Sequence, residues 1–214
     1  MQKHLFTIGH STHTLEHFCG LVEMHKVEVV CDVRSVPYSQ HNPQFNREAL
    51  KEQLHAVGVS YVFLGRELGA RSDNSACYID GKVQYNYLAE EPSFAEGMRR
   101  LGNGIDRFRI ALMCAERDPL TCHRTILVCR ELRAPDLNIE HILADGSIET
   151  NSAAEKRLMS MLHIHPDMIQ NEHDCIEQAY ETQASNIAYV KPSKKSYSEP
   201  RNLHDENFHD RLHE

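Results

Sequence analysis

The stretch FRIALMCAERDPLTCHR, Phe108 to Arg124, decides how this sequence folds. Residues 108–113 form a short apolar run of strand length. They lead into a polar segment, Cys114-Ala115-Glu116-Arg117-Asp118-Pro119-Leu120, and then into a helical pattern over residues 121–132 with Ile126, Leu127 and Cys129 facing inward. A buried strand that opens into a loop and then a helix is one unit of a parallel sheet.

The same unit recurs on both sides of it. Residues 5–8 read as a strand, after which Thr14 caps a helix carrying Leu15, Phe18, Leu21 and Val22 at helical spacing. Residues 29–33 are rich in β-branched side chains. A long polar loop, 34–45, follows them, and Asn46 then caps a helix bearing Leu50, Leu54 and Val57 that Gly58 ends. Residues 59–64 give a third strand, followed by Gly65-Arg66-Glu67-Leu68-Gly69 and an irregular stretch to about Val83. Short helices are predicted over 84–90 and 93–101, separated by Pro92, and a fifth strand over 139–143 before Asp145-Gly146 turns the chain. The expected fold is α/β and doubly wound: a mostly parallel five-stranded sheet with helices on both faces, plus C-terminal helices. Residues 1–150 would form this domain and 151–190 a helical appendage, with helices over 153–162 and 172–189. The polar segment 191–214 would be a disordered tail. The appendage could pack on the domain or pair with a second subunit as a homodimer.

Composition narrows the function. A net charge of -8 over 214 residues provides no basic field for non-specific nucleic-acid binding. The first ten residues lack the pattern of a secretory leader, and no apolar run is long enough to span a membrane, so a cytoplasmic location is expected. Seven scattered cysteines fit reduced thiols better than a disulfide framework.

The polar residues cluster by position. Gly9, His10 and Ser11 follow the first strand, Asp32 and Arg34 end the second, Gly65 and Arg66 follow the third, Cys114, Glu116 and Arg117 follow the fourth, and Asp145 follows the fifth. In a parallel sheet these ends share one edge, where open α/β proteins bind ligands. Each residue also has a plainer role open to it. Gly9 serves a tight turn or an anion at a helix start, and His10 serves proton transfer or stands in a loop. Asp32 and Arg34, two apart on extended chain, form an ion pair or hold a substrate anion, for which the Arg34 fork is suited. Cys114 or Cys122 is a nucleophile activated by Arg117, Arg124 and a helix dipole, or a small buried residue. Glu116 orients His10 or Arg124, or acts as a base, and Arg124 on the first helical turn is placed for an anion.

No phosphate loop of the GxxxxGK[ST] type, GxGxxG, HExxH, CxxC or Cys-x5-Arg signature is present. No cofactor can be named. His10, Cys114, Glu116, Cys122 and His123 are metal-ligand types, yet neighbouring helical residues diverge by about 100°. Joint chelation by Cys122 and His123 is therefore not expected.

Thr7-Ile8-Gly9-His10-Ser11, Asp32-Val33-Arg34 with Pro37 and Ser39, the segment 61–65, and 112–116 followed by Cys122-His123-Arg124-Thr125 together resemble the domain-of-unknown-function 488 family, from about Phe6 to Gly146. The resemblance implies a common α/β domain and a shared pocket built from His10, Ser11, Asp32, Arg34, Cys114, Glu116, Cys122, His123 and Arg124. It names no reaction. The reading that follows is an enzyme acting on a small anionic or nucleotide-like substrate. In it His10 and Glu116 move protons, Cys114 is the nucleophile, and Ser11, Asp32, Arg34, Cys122, His123 and Arg124 bind substrate. A non-catalytic sensor module and a thiol-redox or metal-binding protein are the alternatives.

Overall fold

The protein is described by a computed structural model, in which residues 3–192 are placed. A six-stranded sheet runs through its centre. Strands β1 (Lys3–Gly9), β2 (Val29–Asp32) and β3 (Ser60–Phe63) come first in the chain. A separate two-stranded hairpin, β4 (Tyr78–Ile79) and β5 (Lys82–Val83), precedes β6 (Ile110–Cys114), β7 (Leu137–Ile142) and β8 (Ile148–Thr150). The sheet order is β3-β2-β6-β1-β7-β8, parallel except for the antiparallel edge strand β8. The five predicted strands are all present. The sixth, β8, closes a hairpin at Asp145-Gly146, where Gly146 takes φ 86°. At three residues it is too short to leave a periodic pattern.

The segment expected to be irregular up to Val83 holds the β4–β5 hairpin. Asp80 and Gly81 both adopt positive φ there, 48° and 77°, as a two-residue turn requires.

Helices cover both faces because the buried strands are apolar on both sides. Against one face lie α1 (Leu15–Met24) and α2 (Arg47–Ala56), which bury Phe18, Leu21, Val22, Leu50 and Leu54 on Phe6, Ile8, Val30, Ala111 and Met113. Thr14 caps α1 by accepting the His17 N–H. Asn46 precedes α2 without a side-chain cap, and its Oδ1 instead accepts the Ser39 N–H at 2.7 Å, which pins the long loop after β2. The opposite face carries α3 (Tyr85–Ala89), α4 (Pro92–Ile105), a π-helical turn Arg124–Cys129 running into α5 (Arg130–Leu132), α6 (Asn151–Met161) and α7 (Glu172–Ile187). Their side chains Leu101, Ile126, Val128, Leu158, Ala179 and Tyr180 join Leu5, Val29, Ile110 and Leu112 in one core. Thus α6 and α7 bury a face on the sheet side. Gln183 donates to the Leu120 carbonyl at 2.7 Å, and Arg133 pairs with Glu155 and Glu177. Of the segment expected to be a tail, 193–214 lies outside the described residues. Among the described residues no helix is long and apolar enough to cross a membrane.

One buried polar chain crosses this core. Arg124 Nε–H donates to Thr7 Oγ1, which meets His141 Nδ1 at 2.9 Å, and His141 Nε2 lies 3.2 Å from Asn151 Oδ1. Asn151 in turn donates to Glu155. Burial and the nearby Arg124 push His141 down to about 4, so it is neutral in the folded chain. An unfolded histidine binds its proton near pH 6.5, so between those values the unfolded state holds more protons and stability falls as pH falls. Urea midpoints measured from pH 7 to 4 should decline. In His141→Gln the decline should be shallower, by a contribution of about 3 kcal/mol.

Candidate functional site

The sheet order itself assembles the site. Strands β2, β6 and β1 are adjacent, so the segments leaving their C-terminal ends meet without any long excursion of chain. The pairing continues past the strands: His10 N–H donates to the Cys114 carbonyl and Ser11 N–H to Ala115, both at 2.9 Å, while Val33 N–H donates to Met113. Gly9 is required at this junction, because a Cβ there would stand 2.0 Å from the Glu116 carbonyl oxygen. Ser11 follows in a left-handed conformation, φ 47°.

Asp32 and Arg34 form a buried ion pair. Arg34 donates to Asp32 from its backbone N–H, Nε and Nη2, the last at 2.7 Å, and Tyr61 adds its hydroxyl at 2.7 Å. The same Nη2 reaches the Phe45 carbonyl, and Nη1 points to His10 Nε2 at 3.2 Å. Because a guanidinium only donates, His10 Nε2 must present its lone pair, and Nδ1–H then donates to the Ser11 carbonyl. The ring stacks on Phe45 at 4.4 Å. Burial, with Arg34 beside it, pushes His10 down to about 4. Neutral His10 therefore props the Arg34 fork.

The second half of the site is sulfur-rich. Cys122 was expected on a helix, but its backbone is extended (φ -133°, ψ 139°), and its carbonyl accepts the N–H groups of Thr125 and Ile126. It is the residue before the helix, and its Sγ lies 3.5 Å from the Arg124 N–H. The 100° divergence of helical neighbours therefore does not apply. Cys114, Cys122 and His123 lie with their ligand atoms all within 4.8 Å of one another, contrary to the expectation that Cys122 and His123 could not converge. His123 Nδ1 is 3.7 Å from Cys114 Sγ and 3.9 Å from Cys122 Sγ, and its Nε2–H donates to the Val33 carbonyl at 2.9 Å.

Charge is distributed unevenly over this group. Burial, then the neighbouring Cys122, raises the Cys114 thiol well above its usual range. Burial would raise Cys122 too, but the hydrogen bond from Cys114 and the Arg124 charge outweigh it and hold Cys122 well below. Burial opposes protonation of His123, and its contact with Cys122 reverses that and raises it. Glu116, exposed as a residue, turns its carboxyl end against Cys122 Sγ at 3.0 Å, and burial of that end followed by the sulfur's charge raises it. Arg124 sits beneath, almost fully buried, donating to the carbonyls of Glu116 and Arg117. Burial pushes Cys129 and Cys31 up to about 12, and at Cys129 the Arg124 charge is too weak to reverse it.

A cavity of about 270 Å³ opens over this arrangement, lined by Arg34, Ser35, Arg71, Cys114, Glu116 and His123 among others. Of the nine residues singled out from sequence, Arg34, Cys114, Glu116 and His123 line it. His10, Asp32, Cys122 and Arg124 stand behind them, and Ser11 contributes its backbone. Asp145 lies apart, in its own turn, accepting from Ser147. Sequence reasoning missed Arg71 and the wall residues Ile187 and Tyr189, the latter 4.1 Å beneath the Arg71 guanidinium. No local pattern links positions 71 and 189. It also missed Tyr61 and Phe45 as partners of the Asp32–Arg34–His10 group.

Removing one member of the buried pair leaves the other charge unmatched. Asp32→Ala should therefore cost about 3–5 kcal/mol of stability, and Tyr61→Phe about 1 kcal/mol, as read from urea unfolding.

The pattern described as "Domain of unknown function DUF488" matches residues 14–130, more than half of the chain. No curated protein and no solved structure matched.

Proposed function

The chain belongs to the DUF488 family, and for this member we propose an enzyme that takes a small anionic substrate into the cavity over β2 and β6 and acts on it with a sulfur, imidazole and carboxylate group. One observation carries the reading: a thiol, an imidazole and a carboxyl group, Cys114, His123 and Glu116, open onto the same cavity as two arginines, Arg34 and Arg71. The remaining Nη1 hydrogen of Arg34 and the exposed fork of Arg71 supply donors for a carboxylate or phosphate. Cys114 presents sulfur to the bound substrate after passing its proton to the neighbouring Cys122 thiolate, and Glu116 carries the substrate's proton. His10, Asp32 and Arg124 act indirectly, by fixing Arg34 and the loop after β6. A nucleotide-like substrate would reach past Arg71 into the adjoining cavity of about 510 Å³, which shares Ser35, Val36 and Arg71 with the first.

A second reading is a binding module that passes occupancy to α7. The lining residues Ile187 and Tyr189 favour it, because they tie the cavity to that helix's C-terminal end.

Thermal unfolding in the presence of phosphate, sulfate, small carboxylates and mononucleotides tests both. At least one anion should raise the melting temperature, and Arg71→Ala should weaken that anion roughly fivefold or more while leaving the fold intact. Mass spectrometry of the incubated ligand then separates the readings. Turnover lost in Cys114→Ser supports the enzyme, whereas tight binding without turnover supports the module. If no anion shifts unfolding, or Arg71→Ala shifts as much as the parent chain, neither reading stands.

A further inference from the structure

The spacing of the three buried ligand atoms beneath the cavity points to a metal site: we infer that Cys114, Cys122 and His123 together bind one divalent ion of the zinc class. The inference deepens the reading of the cavity, since it names a cofactor for the same site; with the ion bound, Cys114 serves as a ligand and not as the sulfur presented to substrate, and the inference itself depends on ligand geometry alone.

A tetrahedral zinc ion with bonds of about 2.3 Å to sulfur and about 2.0 Å to nitrogen sets its sulfur and nitrogen ligands about 3.5 Å apart. The two sulfur-to-Nδ1 distances, 3.7 Å and 3.9 Å, are close to that edge, and the sulfurs lie within 4.8 Å of each other. His123 is also oriented as a ligand would be. Its Nε2–H is committed to the Val33 carbonyl, which leaves Nδ1 facing the two sulfurs, the arrangement by which metal-bound histidines are fixed from behind. The ligands come from two places, the end of β6 and the junction where the following helix begins, and Arg124 at that junction is tied to the loop carbonyl of Glu116.

The donor set selects the ion. Two sulfurs and one imidazole suit zinc and not magnesium or calcium, which take oxygen ligands. Three protein ligands leave one tetrahedral position for solvent or substrate, and Cys114 and His123 line the cavity that would supply it. The Glu116 carboxyl group borders the cluster, its Oε2 3.0 Å from Cys122 Sγ.

The test uses the untagged, reduced, full-length chain. After incubation with zinc and gel filtration, one equivalent should remain bound and leave on treatment with a strong chelator. With cobalt in place of zinc, the chain should show sulfur-to-metal charge-transfer absorption together with the visible bands of a tetrahedral ion. Cys114→Ser and Cys122→Ser should each lower zinc affinity at least about tenfold, while Cys129→Ala retains it. The cobalt spectrum is read on the parent chain, so it decides the matter even where a serine variant fails to fold. Retention of far less than one equivalent, or a cobalt complex without sulfur absorption, overturns the proposal. A chain that binds anions through Arg71 yet holds no zinc loses the metal and keeps the proposed enzyme. A chain that holds zinc yet binds no anion keeps the metal and loses the substrate reading.

Discussion

A buried guanidinium organises this end of the sheet. Arg124 is 1% exposed, and a cation so placed must have every donor met and an acceptor-rich neighbourhood around it. Its fork is met by the main-chain carbonyls of Glu116 and Arg117, and its Nε–H by Thr7. Those contacts fold the loop after β6 back over the strand ends, close to Gly9, where no other residue would fit. The sulfurs then lie near a fixed positive charge, which favours the thiolate of both Cys122 and Cys129; the hydrogen bond from Cys114 tips Cys122 downwards, while burial carries Cys129, seven residues on, upwards.

The second buried cation, Arg34, follows a different logic. It is neutralised by Asp32 two residues earlier, and the pair is finished by Tyr61, Phe45 and His10, contributed by three other segments. His10 meets the Arg34 fork through Nε2 and the Ser11 carbonyl through Nδ1. An uncharged imidazole accepting from a guanidinium fixes the tautomer and holds the fork at the cavity wall.

Much of this was legible in the sequence. The apolar runs at 5–8, 29–33 and 110–113 mark the three central strands because each is buried on both faces, and parallel pairing alone then brings His10, Arg34 and Cys114 to one edge. Other features carried no periodic signal. The strand Ile148–Thr150 and the hairpin at 78–83 are shorter than any repeat that could reveal them, although Asp-Gly stands at both turns. Cys122 looked helical because a helical pattern begins there. Its extended backbone comes from the preceding turn at Pro119–Thr121 and from its own carbonyl closing the first helical bonds, a detail of one ψ angle that composition does not encode. Arg71 and Tyr189 meet only because α7 returns across the sheet, and contacts at that separation leave no trace in local spacing.

That return has a consequence for how the family can vary. The pattern shared with DUF488 stops at residue 130, yet the cavity is completed by Ile187 and Tyr189, and the aromatic ring of Tyr189 sets where the Arg71 cation rests. The sulfur and imidazole groups and part of the rim thus come from different stretches of the chain, only the first of which the family pattern covers. A relative that kept the sheet and its sulfurs but exchanged the closing helix would present the same chemistry behind a differently shaped doorway.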